Sequence, residues 1–548
     1  MINKNKANYL FYILMSTGAI ASLLGLIFIG TNGLTSLLLA GGGDIFMDFR
    51  SCVAWASSGE PYAYSSSYPP LALTFHYFFS LFGVNDPLLE GNMIAVYCTV
   101  TAVLLAFAMF FIKKGRYRER GVFVALMLFS APFMFERTRA NIITIAVVFL
   151  AFYLIGKDSN DKLVREFALI SLAISAGVKI YPAVFGMLLI KEKRYKEAIR
   201  TVIYGIAAFI LPFFMFGGVS VIAKMITQLL GFVSSVSSSA QFGYSVGSIS
   251  TIKLLSMLMN CSVQSAQLIA NTVTGVLTVW LVLNLIFGKY SKWKFVTALT
   301  VAICLLPGVS YEYVLCFMML PIAMFLDRDE HRRIDYLYSV LFTGCMILIL
   351  FGPQNLFPQF NSWPMSINVL VNAISLFLLF VLVNVELSKD TFLTLKSIWG
   401  KIKPRYLKPL ICCLLVVVIA AYSFVKIKLN NIEYEKEVYT PASQLIKAAG
   451  YDYENVYFVV YNTPALLKHW DLEQPLDKIT NRYALASEVI QTFENLDRPV
   501  LIDAGMWVYI GNIFKYEKST FDECLSDLGF VNIGAHENGM LLFAPQKK

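Results

Sequence analysis

The chain has 548 residues, of which 57% are hydrophobic and only 15% are charged. Soluble domains carry about 25% charged residues, so this composition excludes an ordinary soluble enzyme. The formal net charge of +9 does not indicate a nucleic-acid partner, because basic residues of a membrane protein collect in its cytoplasmic loops. The composition predicts an α-helical polytopic protein of the plasma membrane, surrounded by membrane lipids.

Apolar runs between positions 9 and 429 are long enough for roughly eleven to thirteen membrane helices, since about 20 apolar residues cross a bilayer. The first run, residues 9–30, follows Lys4 and Lys6. It is longer than the apolar core of a cleaved signal peptide, which has about 7–15 residues. We therefore expect an uncleaved anchor with a cytoplasmic N-terminus.

The distribution of lysine and arginine supports this orientation. Alternating sides from a cytoplasmic N-terminus places seven segments inside, and these hold 27 of the 45 Lys and Arg residues. The segments are 1–8, 113–120, 157–165, 191–200, 288–294, 327–336 and 388–408. Outward segments hold only six, and this excess of basic residues in the inner loops is typical of membrane proteins.

Polar residues and proline break two of the apolar stretches. The stretch 121–156 is interrupted at 131–141, and the stretch 166–190 is interrupted at 179–182. Non-helical backbone at membrane depth is tolerated only where protein buries it or water fills a cavity. The breaks predict short helices that meet at the outer face around an aqueous cavity. Residues 69–83 predict a further short helix, re-entrant or interfacial.

We predict a membrane-embedded domain at 1–429, with its last span at about 409–429, and a small extracytoplasmic α/β domain at 430–548. The second domain either stabilises the membrane part or binds substrate. Apolar runs and amphipathic patterns predict its elements. The expected strands are 456–461, 499–503 and 540–543, and the expected helices are 442–449, 483–493 and 520–528.

Carboxylates, cations and aromatic residues converge on the predicted outer segments. Ionisable groups near membrane depth are costly and are therefore functional candidates. A carboxylate on an outer loop suits a general base, and Arg or Lys beside a broken helix suits a phosphate. Tyrosine rings suit a surface on which a sugar binds. These residue types fit group transfer from a lipid phosphate, and they fit an anion transporter equally well.

Several of these residues stand in the order of a known family. The runs Asp48-Phe49, Gly59-Glu60-Pro61-Tyr62 and Tyr68-Pro69-Pro70 resemble the signature of the family 87 glycosyltransferases. Later runs fall in the family's order as well, namely Arg139-Ala140-Asn141, Val178-Lys179-Ile180-Tyr181-Pro182 and Tyr244-Ser245. The resemblance extends from residue 1 to about residue 390 and implies a GT-C-like fold, as in polyprenyl-phosphate-mannose-dependent mannosyltransferases.

The resemblance implies an inverting transfer of one sugar from polyprenyl phosphate to a hydroxyl of a lipid or glycan acceptor in the cell envelope. Asp48 would be the general base, with Asp44 as the second candidate. Three cations would bind the donor phosphate, namely Arg137, Arg139 and Lys179. The alternative is that they contact only lipid headgroups. The substrate-binding candidates are Tyr68, Asn141, Tyr181, Tyr244 and Glu312.

Glu312 marks a departure from the family pattern. Mannosyltransferases of the family carry His residues after a Ser in the late outer loop, whereas this chain has Ser310-Tyr311-Glu312-Tyr313. Glu312 is therefore a candidate for acceptor binding or for an assisting base, or else it pairs with Arg139 or Lys179. The departure leaves the donor sugar and the acceptor open.

We expect neither a metal nor another cofactor. The resemblance implies no metal, the outer set has no Asp/Glu/His triad, and the nine cysteines show no zinc spacing. Two other functions fit the same topology. A transporter or flippase of lipid-linked saccharides would use the cations to bind phosphate. A polymerase would transfer a glycan block instead of one sugar.

Overall fold

The structure is a computed structural model that describes much of the chain. The described residues are 6–38, 45–62, 66–82, 87–238, 245–261, 263–328, 332–349, 356–357, 365–399, 439–460, 467, 470, 472, 474, 486–503, 506–507, 510–511, 514, 519–536 and 539–546. Asp44, Tyr244 and the predicted span at 409–429 lie outside them. The described part is mostly helical, which confirms the predicted helical class.

The α-helices of the described part are numbered along the chain. They are α1 (Lys6–Leu38), α2 (Met47–Ser57), α3 (Pro70–Ser80), α4 (Pro87–Ile112), α5 (Tyr117–Leu128), α6 (Ala131–Arg139), α7 (Ile143–Gly156), α8 (Lys162–Val178), α9 (Met187–Lys191), α10 (Tyr195–Ile210), α11 (Ile222–Ser238), α12 (Ser248–Leu258), α13 (Val263–Phe287), α14 (Lys292–Leu305), α15 (Met319–Leu326), α16 (Asp335–Met346), α17 (Ile367–Trp399), α18 (Thr440–Ala448), α19 (Ala486–Glu494) and α20 (Phe521–Asp527). Short 3-10 helices lie at Tyr181–Gly186, Leu211–Met215, Gly218–Val221, Glu312–Met318 and Tyr453–Asn455.

Among the described residues, five helical segments are long and apolar enough to cross a membrane. They are Lys6–Gly25, Leu89–Ile112, Tyr195–Met215, Ser265–Phe287 and Ile367–Thr394. Helices α5 and α6 add a sixth if they form one span, bent by 55° at the predicted break. Several shorter apolar helices accompany them, including α7 and α12. The count of eleven to thirteen spans stays a prediction.

The chain separates into two compact units. Unit 1 comprises Met1–Leu38, Tyr97–Phe209 and Ala240–Leu414, and unit 2 comprises Leu39–Val96, Ile210–Ser239 and Leu415–Lys548. The predicted domain boundary at 429/430 falls outside the described residues.

Unit 1 is a helical bundle in which α7 packs on α8, α12 on α13, and α16 on both α1 and α17. A buried polar network joins α13 to α17. The amide nitrogen of Asn284 donates to the backbone and side-chain oxygens of Asn384, both at 3.0 Å, and the Thr391 hydroxyl donates to Asn284 at 2.9 Å. Side-chain hydrogen bonds of this kind hold helices together where the hydrophobic effect cannot.

Charged residues at one end of unit 1 form a second network. The buried Lys157 ammonium donates to Glu192 at 2.6 Å and to Asp158 at 2.8 Å, and Lys292 also pairs with Asp158. Burial alone would raise the pKa of the Asp158 carboxyl, but hydrogen bonds from Lys157 and Lys292 outweigh it and lower that pKa to about 2. The network joins three segments that the charge pattern assigns to the same side of the membrane.

Unit 2 contains a four-stranded sheet near the C-terminus. Its strands are β1 (Tyr457–Val459), β2 (Val500–Ile502), β3 (Phe530–Ala535) and β4 (Leu541–Pro545), in the order β1-β2-β4-β3. Strand β1 is parallel to β2, whereas β4 is antiparallel to both of its neighbours. The strands and helices predicted for this region are present, and β3 is an addition.

Alternate residues of these strands enter opposite cores, as the period of a strand requires. Cluster A consists of Tyr457, Val459, Ala486, Val489, Phe493, Val500, Ile502, Met506, Ile510, Phe514, Phe521, Cys524, Leu525, Phe530 and Phe543. Cluster B consists of Ala442, Leu445, Ile446, Val456, Phe458, Val460, Leu467, Leu501, Met540 and Leu542. The sheet is therefore covered on both faces.

Candidate active site

The predicted general base, Asp48, lies in the first turn of α2 in unit 2 and is partly exposed. The helix begins directly after Phe46, whose φ of 57° places it in the left-handed region. A carboxylate in the first turn interacts favourably with the helix dipole. The backbone thus holds a negative charge at the start of a short helix.

Helix α2 is held from its apolar side by α3, the short helix predicted at 69–83. The buried ring of Phe49 makes edge contacts with His76 at 5.5 Å and with Phe79 at 5.4 Å between ring centroids. Next to it, the Arg50 guanidinium is 3.5 Å from the buried carboxylate of Glu90. These contacts fix the helix that carries Asp48.

The other signature residues of unit 2 pack against one another. The Tyr62 hydroxyl donates to the carbonyl of Tyr68 at 3.2 Å, and the rings of Tyr68 and Trp55 lie 6.3 Å apart. Burial, and to a lesser extent nearby Cys52, raises the pKa of Tyr62, so its hydroxyl stays a hydrogen-bond donor. The residues that carried the resemblance therefore form one local structure with Tyr68 at its centre.

The buried Glu136 and the partly buried Arg137 form an ion pair on α6 in unit 1. The Arg137 guanidinium also donates to the carbonyl of Cys98 at 2.7 Å, to the Thr101 hydroxyl at 2.8 Å and to the Thr144 hydroxyl at 3.0 Å. A guanidinium has five N–H groups, and with the two contacts to Glu136 all of them are used by the protein. Arg137 thus offers no donor to a phosphate in this conformation.

Arg139 and Asn141 flank the turn from α6 to α7. Ala140 between them has a φ of 48°, in the left-handed region, and ends α6. The buried Asn141 side chain accepts a hydrogen bond from the backbone N–H of Ile143, the first residue of α7, at 2.9 Å. Arg139 is partly exposed. Asn141 is thus buried at this turn, whereas Arg139 lies nearer the surface than Glu136.

Glu312 begins the 3-10 helix Glu312–Met318, on which α6 packs. Its buried carboxylate accepts a hydrogen bond from the Asn368 amide, and Asn368 also donates to Asn372 at 3.1 Å. The partner of Glu312 is therefore Asn368 on α17, and not Arg139 or Lys179. One residue on, Tyr313 stacks on Phe135 of α6 at 5.8 Å.

Lys179 and Tyr181 lie at the break after α8. Lys179 is the extended residue that ends α8, and Tyr181 begins the 3-10 helix that follows. The Tyr181 ring makes an edge contact with Phe317 at 5.7 Å. The 3-10 helix Glu312–Met318 thus contacts both Tyr181 and α6.

The sequence did not single out every polar residue of this region. Asn368 and Asn372 were missed, although their spacing of four places them on one helix face, a signal that could have indicated them. Lys253 of α12 was counted as an outward cation but not as a site residue, yet it is only 2% exposed. A buried ammonium is costly, so its position is specific.

Metal ligands do not come together in the described part of the chain. No three side chains of His, Cys, Asp or Glu are close enough there to hold an ion. The chemistry of the described site residues is that of carboxylates, amides, guanidinium and ammonium groups, and tyrosine rings.

A comparison with family models gives a match to part of the chain. The family model of glycosyltransferase family 87 matches residues 66–309, which include Tyr68, Arg137, Arg139, Lys179 and Tyr181. No curated protein and no solved structure matches the chain. Asp44, Asp48 and Glu312 lie outside the matched residues. The match confirms the resemblance over this region, and the protein is a membrane glycosyltransferase.

Proposed function

We propose that this family 87 glycosyltransferase moves one sugar from a polyprenyl-phosphate donor to a hydroxyl of a lipid or glycan acceptor, with inversion at the anomeric carbon. The observation that supports the proposal best is the placement of Asp48. It lies partly exposed in the first turn of α2, and the signature residue Tyr68 packs on Trp55 near the end of the same helix.

Asp48 is assigned the role of general base. The acceptor oxygen attacks the anomeric carbon while the bond from that carbon to the phosphate oxygen breaks. The acceptor proton passes to the Asp48 carboxylate and then to water, and polyprenyl phosphate leaves. A positioned base of this type contributes about 100- to 10,000-fold to a rate. Asp44 remains the second candidate for this role.

Arg139 and Lys179 are assigned to the phosphate of the donor. Both are partly exposed. Arg139 is the last residue of α6 and Lys179 directly follows α8, and a cation at such a place can neutralise the charge on the leaving phosphate. Arg137 takes a different role from the predicted one. Because Glu136 and its other acceptors use all five of its N–H groups, it holds the α6 turn in place beside Arg139.

The remaining candidates are assigned to substrate binding, with Glu312 at the acceptor. We place the reaction on the extracytoplasmic face of the plasma membrane, with the N-terminus in the cytoplasm and the domain at 430–548 outside. The positive-inside pattern and the charged network around Lys157 support this orientation. The GT-C-like fold and independence of a metal belong to the same proposal.

A reconstituted assay tests the proposal. Purified protein in lipid nanodiscs receives polyprenyl phosphate carrying a radiolabelled sugar, together with a cell-envelope fraction as acceptor. We expect label to enter the acceptor one sugar at a time, with inverted anomeric configuration by NMR and the same rate in EDTA. Transfer of preformed glycan blocks would indicate a polymerase. Movement of label across a vesicle membrane without any transfer would contradict the proposal.

A further inference from the structure

The first residue of α2, Met47, is packed against the C-terminal α/β domain. Its side chain is partly buried and contacts cluster A, the core formed between the sheet and helices α19 and α20. Both lie within unit 2, although more than four hundred positions separate them in sequence. The helix that carries Asp48 therefore begins on the core of the domain.

Met47 and Phe49 hold α2 on two sides of Asp48. Successive residues of a helix are about 100° apart, so the side chains of residues 47 and 49 leave the helix in nearly opposite directions. Phe49 is buried against His76 and Phe79 of α3, while Met47 contacts cluster A. The Asp48 side chain leaves between them and stays partly exposed.

Local sequence alone does little to hold the start of this helix. Phe46 at the N-cap makes no side-chain capping bond and adopts a left-handed conformation, which costs about 1–2 kcal/mol for an L-residue. Apolar contacts at the first turn must offset that cost. Met47 supplies the contact that comes from the C-terminal domain.

We propose that the C-terminal domain positions the general base, and that Met47 is the residue through which it does so. The inference rests on the proposed role of Asp48. Met47 does not touch the reacting atoms, and it acts by fixing the first turn of α2. A catalytic group displaced by about 1 Å can lose about 100-fold in rate, so a loosened first turn lowers kcat more than it changes KM.

The test compares three methionine variants in nanodiscs. Met47→Ala removes the contact, Met47→Leu keeps its volume, and Met215→Ala is a matched control at an exposed methionine of unit 2. We expect Met47→Ala to lower kcat about 10- to 100-fold with the KM for the donor unchanged, and Met47→Leu to restore most of it. Met215→Ala stays at the wild-type rate.

Hydrogen–deuterium exchange gives a readout independent of turnover. In Met47→Ala we expect faster exchange across residues 47–57, with β2 and β4 as protected as in the wild type. Phe543→Leu makes cluster A smaller from the side of the domain, and it should also speed exchange in α2. This second variant provides the test if Met47→Ala does not fold. Wild-type kcat and exchange in both variants would overturn the inference.

The two proposals can fail separately. If Asp48→Asn keeps full turnover, the assignment of the base is wrong, while exchange in α2 still reports whether the domain holds the helix. If Asp48→Asn is inactive and Met47→Ala behaves like the wild type, the base assignment stands and the domain does not position it.

Discussion

The regions around Arg137 in unit 1 and around Asp48 in unit 2 both hold candidate site residues, but by different means. The Arg137 guanidinium is fixed by hydrogen bonds and an ion pair that use all of its donors. Helix α2 is fixed by apolar contacts of Met47 and Phe49, which leave the charged group between them partly exposed. Polar groups thus hold the Arg137 guanidinium in place, whereas apolar neighbours hold the first turn of the helix that carries Asp48.

The two regions share one backbone feature. Phe46 and Ala140 both have positive φ, at 57° and 48°, and both are L-residues for which this conformation is strained. Strained backbone is found preferentially at functional sites, where the surrounding packing enforces it. In each region the strained residue adjoins a segment that the sequence had singled out.

The largest effect on stability is expected for Arg137→Gln. The change removes a cation that pairs with the buried Glu136 carboxylate, and removing one partner of such a pair costs about 3–5 kcal/mol. Thermal unfolding in detergent should show a large fall in Tm, whereas Arg118→Gln at an exposed position of α5 should not. A stable Arg137→Gln variant with a raised KM for the donor would contradict this role and show that Arg137 binds the donor phosphate.

A smaller effect, on binding of the donor, is expected for Arg139→Gln and Lys179→Gln. Each change removes a charged hydrogen-bond donor worth about 1.5–3 kcal/mol, so the KM for the donor should rise about tenfold or more. The exposed Lys162→Gln is the matched control in the same unit. Unchanged KM in both variants would show that these cations contact only lipid headgroups.

The smallest effect concerns pH and the network around Asp158. Its pKa is about 2 in the folded protein against 3.8 ordinarily, so the unfolded chain binds a proton between these values while the folded one does not. Stability supplied by this carboxylate is present above pH 4 and is lost as the pH falls toward 2. Wild-type Tm should drop more between pH 5 and pH 3 than the Tm of Asp158→Asn. An equal fall in Tm in both proteins would show that the Asp158 carboxylate does not contribute to stability.

Local sequence signals predicted much of the fold. Proline and polar residues marked the breaks that separate α5, α6 and α7, and alternation of apolar residues marked β1, β2 and β4. Strand β3 was missed because Phe530 is the one buried residue of the strand, so its sequence shows no apolar alternation. Helices shorter than a full span, such as α7, also weaken any count of membrane crossings made from apolar runs.

The site was less accessible to sequence reasoning. Arg137 and Arg139 stand two positions apart and look alike in sequence, and only tertiary contacts such as the carbonyl of Cys98 distinguish them. The contact between Met47 and cluster A joins distant parts of the chain, so no local pattern could reveal it. The sequence indicated which residue types the site contains. The structure was needed to tell which of them make structural contacts.

The most direct test of the account is the turnover of Asp48→Asn with a labelled polyprenyl-phosphate sugar. The variant removes the proton acceptor and keeps the shape of the side chain, so kcat should fall about 100- to 10,000-fold while donor binding stays at the wild-type level. Asp452→Asn, the same change at an exposed position of unit 2, should leave turnover intact. Wild-type turnover in Asp48→Asn would contradict the central claim.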